Sequence, residues 1–225
     1  MADVIPIFPL SQVLLPGMPL PLRIFEERYR QLLIDVTSRP GSASFGVVAL
    51  LRGSEADQPR AVRIPPELAP VGTLAEILEV EPHEDGSSEL LTVGSRRFHL
   101  RRLIEGGTAY LRAEIDWLQE PDGDIRPAHV AATRRLCGDF STLLTALTGR
   151  VAVEPVPQDA NLLSYYVAGQ IPLDLRDRQA LLAEPSAAER LRRGIGLLRR
   201  EVRLLQSTRT IAMAPSVLRL IAVDN

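Results

Sequence analysis

The feature that most constrains this chain is the proline spacing in its first long apolar run, "FPLSQVLLPGMPLPLRIFEERYRQLL", residues 8–33. Pro9, Pro16, Pro19 and Pro21 remove backbone donors every few residues, so no regular helix can span them. Prolines inside apolar runs belong at strand edges or strand ends, and Pro16-Gly17 is a turn signal between two such runs. Beyond Pro21 the prolines stop. "EERYRQLL" then puts Tyr29, Leu32 and Leu33 on one helical face, with Glu26 and Arg30 placed as an i,i+4 pair. The segment reads as strand, turn, strand and helix. A secretory signal would need a basic start and an unbroken apolar stretch. A membrane span would need roughly 20 consecutive apolar residues. Neither pattern occurs, so a soluble chain with no targeting segment and no membrane partner is expected.

At 225 residues the chain has room for one large domain or two small ones. Cys137 is the only cysteine, which excludes an intrachain disulfide and a cysteine-based zinc site and points to a cytoplasmic protein. The formal net charge of −2 exerts no global pull on nucleic acid or anionic membranes. All 26 basic residues are arginine. Without lysine there is no Walker A lysine, no Ser–Lys dyad and no Schiff base, and arginine does not lose its proton to replace one.

The first half reads as strands and turns. "FGVVALL", residues 45–51, is a short buried strand, followed by a polar loop over residues 52–60. Residues 72–81 and 89–104 form a hairpin around Asp85-Gly86, with Phe98 and Leu100 alternating against Arg97, His99 and Arg101, and with Gly94 marking a bulge. Residues 109–118 supply a further strand. From about residue 121 the period becomes helical. Leu136, Phe140, Leu143, Leu144 and Leu147 share one stripe, Asp159 can cap the helix that follows it, and Ser186 with Glu189 forms a capping box. Behind that box Leu191, Ile195, Leu198, Val202 and Leu205 make an apolar seam, interrupted by Gly194 and Gly196. The organisation is α+β: a β-rich segment over 1–120, helices over 121–210, and an apolar tail over 211–225.

No catalytic constellation emerges. His83, His99 and His129 have no partners at metal-ligand spacing, no G-x-S-x-G occurs, and Cys137 lies in an apolar helical pattern that suits a buried thiol. A non-enzyme without metal or cofactor is expected. Arginines gather at Arg96, Arg97, Arg101 and Arg102 on the hairpin, and at Arg192, Arg193, Arg199, Arg200 and Arg203 on the last helix. They could contact phosphate. The preferred reading is a solvated face balanced by the abundant acidic residues, because aromatics for base stacking make up only 4% of the chain.

The opening stretch resembles the N-terminal, substrate-binding domain of Lon proteases. That family's pattern is a P-L-F-P-L entry, an F-P-G turn and P-L-x-I-F-E-x-R-Y. The chain matches it at Pro6, Phe8, Pro9, Leu10, Pro16, Gly17, Pro21, Leu22, Ile24, Phe25, Glu26, Arg28 and Tyr29, and departs at Leu15. "GTLAEILEV", "DG" and "VGSRRFHL" are similar to the family's hairpin, and "LSYYVAGQIPLDLRDRQALLAEPSAAERL" to its helical part, so the likeness runs over residues 4–206. It implies a PUA-like β-barrel-type domain followed by an α-helical bundle. It also implies binding of unfolded or degron-bearing polypeptides, in a quality-control or adaptor role beside a separate protease or chaperone. On this reading Phe25 and Tyr29 point into the core, and Leu14, Leu15 and Met18 are exposed turn residues available for peptide contact. The alternative is RNA binding through Arg96, Arg97, Arg101 and Arg102, and nucleic acid ranks below polypeptide as a partner.

Overall fold

A computed structural model describes residues 3–38, 41, 43–51, 68–149 and 155–208. The loop expected over 52–60 and the tail over 211–225 lie outside these residues. The chain divides into two compact units, Met1–Gln119 and Glu120–Asn225. Among the described residues there are six strands and five helices, so the class is mixed α and β.

The first unit contains β1 (Asp3–Leu10), β2 (Pro19–Ile24), α1 (Glu27–Thr37), β3 (Ser44–Ala49), β4 (Val71–Pro82), β5 (Ser88–Ile104) and β6 (Leu111–Trp117). The strands form one sheet in the order β2-β5-β4-β3-β1-β6, and β5 also pairs with β6, so the pairings β5–β4–β3–β1–β6–β5 return to their start. β2 is an edge strand, as its prolines predict. β1 departs from that expectation, because it is internal in the order. It pairs with β6 over Asp3–Ile7 and with β3 over Ile7–Leu10, so each half keeps one unladdered side and tolerates Pro6 or Pro9.

α1 covers one face of the sheet through Tyr29, Leu32, Leu33 and Val36, which join Phe8, Leu10, Leu20, Ile24, Phe45 and Leu90 in one buried cluster. Tyr29 stacks on Phe8 with ring centroids 3.9 Å apart. The expected Glu26–Arg30 pair does not form. Glu26 occupies the extended N-cap position ahead of the helix and instead binds Arg28 at 2.5 Å. The hairpin turn is tied by Asp85, which accepts from the Ser87 hydroxyl (2.6 Å) and the Ser87 N–H (2.9 Å). These bonds, the hydroxyl first, hold the Asp85 carboxyl below the usual carboxylate range.

β5 bends at a bulge. Between the pairs Ala75↔Gly94 and Thr73↔Arg97 it places two residues, Ser95 and Arg96, against the single Leu74 of β4. The slip puts Arg97 on the face of Leu90, Thr92 and Gly94 and Phe98 on the opposite face, which is also covered here: Phe98 is fully buried and meets Trp117 edge-on at 6.4 Å. It also explains why Arg97, expected on the exposed side of the strand, is 1% exposed. The ring of Phe98 fills the space over two glycines: a Cβ on Gly72 would lie 2.5 Å from its Cζ, and one on Gly46 would lie 2.8 Å away.

The second unit contains α2 (Pro127–Thr148), α3 (Ala160–Gln170), α4 (Leu175–Ala183) and α5 (Ala187–Thr208). α5 packs on the other three. Its seam Leu191, Ile195, Leu198, Val202 and Leu205 is buried throughout. Asp159 caps α3 by accepting from the Leu162 N–H at 2.8 Å, and the Ser186 hydroxyl accepts from the Glu189 N–H at 3.3 Å, as a capping-box serine does, while donating to the Glu189 carboxylate at 3.1 Å. On α2 the stripe is covered at Leu136 and Phe140 but opens toward Leu147, which is 38% exposed. Sequence periodicity did not single out Arg190, which is fully buried. It donates to Ser164 Oγ (2.9 Å), Glu184 C=O (3.1 Å), Glu120 Oε2 (3.1 Å) and Asn161 Oδ1 (2.6 Å), and lies over the Tyr165 ring. A buried charge with this many acceptors is tolerated because almost every donor is used.

Two expected outcomes follow from the helices. A Cβ on Gly194 would meet Val167 Cγ1 at 3.0 Å, whereas one on Gly196 would meet nothing within 4 Å among the described residues. Gly196→Ala therefore stabilises this unit by about 0.5–1 kcal/mol in urea unfolding, and Gly194→Ala gives a smaller gain or a loss. Burial pushes the Cys137 thiol up to about 11, and the thiolate is the reactive form. Cys137 should stay unmodified by an aromatic disulfide reagent in native buffer and react once the chain is denatured.

Candidate peptide-binding surface

The turn singled out in the sequence is a type II turn built from Leu15-Pro16-Gly17-Met18. The Met18 N–H donates to Leu15 C=O at 3.1 Å, and Gly17 takes φ +77°, which that turn reserves for glycine. The turn is docked on β5. Gly17 N–H donates to Gly94 C=O (2.8 Å), Gly94 N–H to Met18 C=O (3.0 Å), and the Thr73 hydroxyl to Leu14 C=O (2.7 Å). A Cβ on Gly94 would overlap the Leu15 carbonyl, so only glycine lets the two backbones come this close.

This docking corrects two of the sequence expectations. Leu14 is 5% exposed and Leu15 2% exposed, so both belong to the core rather than to an accessible turn. Met18 is half-buried and still reaches the surface. Phe25, expected in the core, is 62% exposed. It precedes the N-cap of α1, where a hydrophobic staple would need an apolar residue four positions into the helix. Arg30 stands there instead, and the phenyl ring is left in solvent. Within I-F-E-E-R-Y, Ile24 and Tyr29 build the core and Glu26 with Arg28 fixes the helix entry. Phe25 is the residue of that motif with no packing role evident. The signal that could have found it was the polar residue at position 30.

The strand register defines the surface next to Met18. Leu20, Leu22, Ile24, Leu90 and Thr92 point to the core side of the β2–β5 pair, and the alternating set points outward. On the outward side Pro19 faces Val93 and Pro21 faces Leu91, giving two apolar cross-strand pairs that are exposed or half-exposed. The next pair is Arg23 with Glu89, and Phe25 follows just past the strand end. The two apolar pairs and the Phe25 ring, with the Arg23–Glu89 pair between them, can each bury apolar groups of an extended chain.

The hairpin arginines are brought together only as a series of satisfied groups. Arg97 is buried and donates to Gln119 C=O. Arg101 pairs with Asp116, Arg102 with Glu114, and Arg96 lies 4.3 Å from the centroid of the Trp117 ring. On α5, Arg193 binds Glu184 at 2.7 Å and Arg200 binds Asp177 at 3.2 Å. Arg101, Arg102, Arg193 and Arg200 are thus paired with acidic side chains, whereas Arg97 departs from the expected solvated face because it is buried. Among the described residues no three of His, Cys, Asp and Glu are grouped to hold a metal, and no helix is long and apolar enough to cross a membrane.

Truncation separates core from surface. Leu15→Ala should cost about 2–5 kcal/mol in urea unfolding, while Phe25→Ala should change stability by no more than about 0.5 kcal/mol.

Comparison with known proteins adds the family. The model of the ATP-dependent protease La (LON) substrate-binding domain matches residues 4–200. The Lon protease of Cytophaga hutchinsonii is 24% identical over 220 residues, covering 93% of this chain and 26% of that protein. Lon protease 2 of Thermus thermophilus is 32% identical over 167 residues, covering 71% of this chain and 20% of its own length. The chain thus spans about a quarter or less of these relatives. The crystal structure of a Lon N-terminal domain protein from Xanthomonas campestris superimposes with a TM-score of 0.65 at 28% identity, covering 86% of this chain and 98% of the other. The N-terminal domain of a Mycobacterium avium complex Lon protease shares the fold, with a TM-score of 0.60 at 19% identity. The chain belongs to the Lon substrate-binding domain family.

Proposed function

We propose that this chain is a non-catalytic polypeptide-binding module that recognises unfolded or degron-bearing segments. In this reading it acts in cytoplasmic protein quality control and presents its clients to a separate protease or chaperone. The observation that carries the proposal is the match to the substrate-binding domain along residues 4–200. The exposed Phe25 and the outward apolar pairs of β2 and β5 give the reading a surface. Of the three residues first considered for peptide contact, Met18 remains part of that surface, while Leu14 and Leu15 support it from beneath. We take the closed circuit of strand pairings for the PUA-like barrel of the family and helices α2–α5 for its helical bundle.

The test is fluorescence anisotropy of a labelled, permanently unfolded polypeptide titrated with the full chain at low and moderate salt, with RNA as competitor. Saturable binding that persists at moderate salt and is not displaced by RNA is the expected result. Phe25→Ser should weaken it by about tenfold, the loss of one buried aromatic contact, with no change in the thermal melt. Binding of RNA alone, lost steeply as salt rises, would overturn the proposal in favour of the hairpin arginines.

A further inference from the structure

The outward face of β2, β5 and β4 has a charge pattern that goes beyond simple apolar contact. Following the register across the three strands, Pro19, Val93 and Glu76 lie in one row, Pro21, Leu91 and Glu79 in the next, and Arg23, Glu89 and Glu81 in the third. β4 has an extra residue between Ile77 and Glu79, and that bulge keeps Glu76 on the same face as Glu79 and Glu81. The face is therefore two columns, apolar in their first two rows and ending in Arg23 and Glu89, bordered by a column of three glutamates. Glu79, Glu81 and Glu89 are exposed and Glu76 is half-exposed. Nearby cations are few: Arg23 pairs with Asp85 at 3.3 Å, and His83 lies 3.6 Å from Glu89. Glu76, Glu79 and Glu81 take part in no ion pair among the described residues.

Among the described residues the outer edge of β2 has no partner strand, and its prolines leave it poor in donors. The Gly94 N–H bond to Met18 C=O marks Pro19↔Val93 as a pair whose own backbone groups point away from the partner strand, and the two-residue alternation makes Pro21↔Leu91 the same. Pro19 and Pro21 therefore stand where outward donors would be, and the edge offers none at either position. An added strand would find a donor only at Arg23 among the three outward positions, which favours a bound segment lying over the face.

We propose that this face selects extended segments in which arginine or lysine alternates with apolar residues. Apolar side chains seat on the Pro19–Val93 and Pro21–Leu91 pairs. The aliphatic stems of the basic residues cross the Leu91 column and place their charges at Glu79 and Glu81. Adjacent strands are about 4.8 Å apart and alternate residues on a strand about 6.8 Å apart, which suits both reach and repeat. The inference rests on the polypeptide-binding reading and names its preferred client.

The experiment compares three labelled peptides of equal length in which leucine alternates with arginine, serine or glutamate. Each is titrated against the full chain at low salt and against the variants Glu79→Gln/Glu81→Gln and Glu79→Lys/Glu81→Lys. The Leu/Arg peptide should bind about three- to tenfold more tightly than the Leu/Ser peptide, as two exposed ion pairs allow. The Gln variant should remove that preference, and the Lys variant should reverse it in favour of Leu/Glu. Thermal melts of both variants should match the parent, since both glutamates are exposed. Equal affinity for all three peptides, or a preference unmoved by the variants, would overturn charge selection and leave polypeptide binding standing. Failure of every peptide to bind the parent chain would overturn both.

Discussion

The contact on which the first unit depends is the near-touch of two backbones, Gly94 on β5 against the Leu15 carbonyl in the β1–β2 turn. β5 is a 17-residue strand that must serve three neighbours. Its first half lies between β2 and β4, and its second half runs on to β6. A regular strand of that length would coil away from one of them. The bulge just beyond Gly94 bends it, and the turn closes over the bend through the paired bonds of Gly17 and Met18 to Gly94. The same closure buries Leu14 and Leu15. The residues that look most like a surface turn in the sequence are thus the plug that holds the sheet's bend.

Much of the fold was legible because its elements carry the ordinary periodic signals. The α5 seam, the Asp159 cap, the Ser186–Glu189 box and the Asp85-Gly86 hairpin sit where spacing puts them. What the sequence concealed depends on register. Arg97 was assigned to an exposed position by strict alternation, and one extra residue in β5 moved it to the buried side. Leu14 and Leu15 were assigned to the surface because they flank a Pro-Gly turn, and the close approach that buries them involves a residue 79 positions away from Leu15. Long-range contacts of this kind leave no local pattern. Arg190 was missed for a related reason: its acceptors come from Glu120, Asn161, Ser164 and Glu184, which no period relates.

The candidate surface was legible only in part. The motif covers a stretch that holds both core and exposed residues, and a motif match marks each residue without saying whether it serves the fold or a partner. The structure separates the two. Pro16, Gly17, Ile24 and Tyr29 have evident geometric work, and Phe25 is left with its ring in solvent at an apolar–aqueous energetic cost that packing does not offset.

The prolines of the first apolar run have more than one role. Pro16 sets a turn, and Pro6 and Pro9 sit on half-paired stretches of β1. Pro19 and Pro21 are different, because in β2 they leave an edge poor in donors while presenting their rings outward beside Leu91 and Val93. An edge strand without those prolines would expose donors and acceptors to any extended chain, including another copy of this one. With them, on the proposed reading, recognition passes from the backbone, which is the same in every polypeptide, to side chains on a face bordered by Glu76, Glu79 and Glu81. For a module that binds unfolded segments, as proposed for this chain, that separation limits polymerisation through its own sheet, and Pro19 and Pro21 contribute to it by withholding two N–H donors.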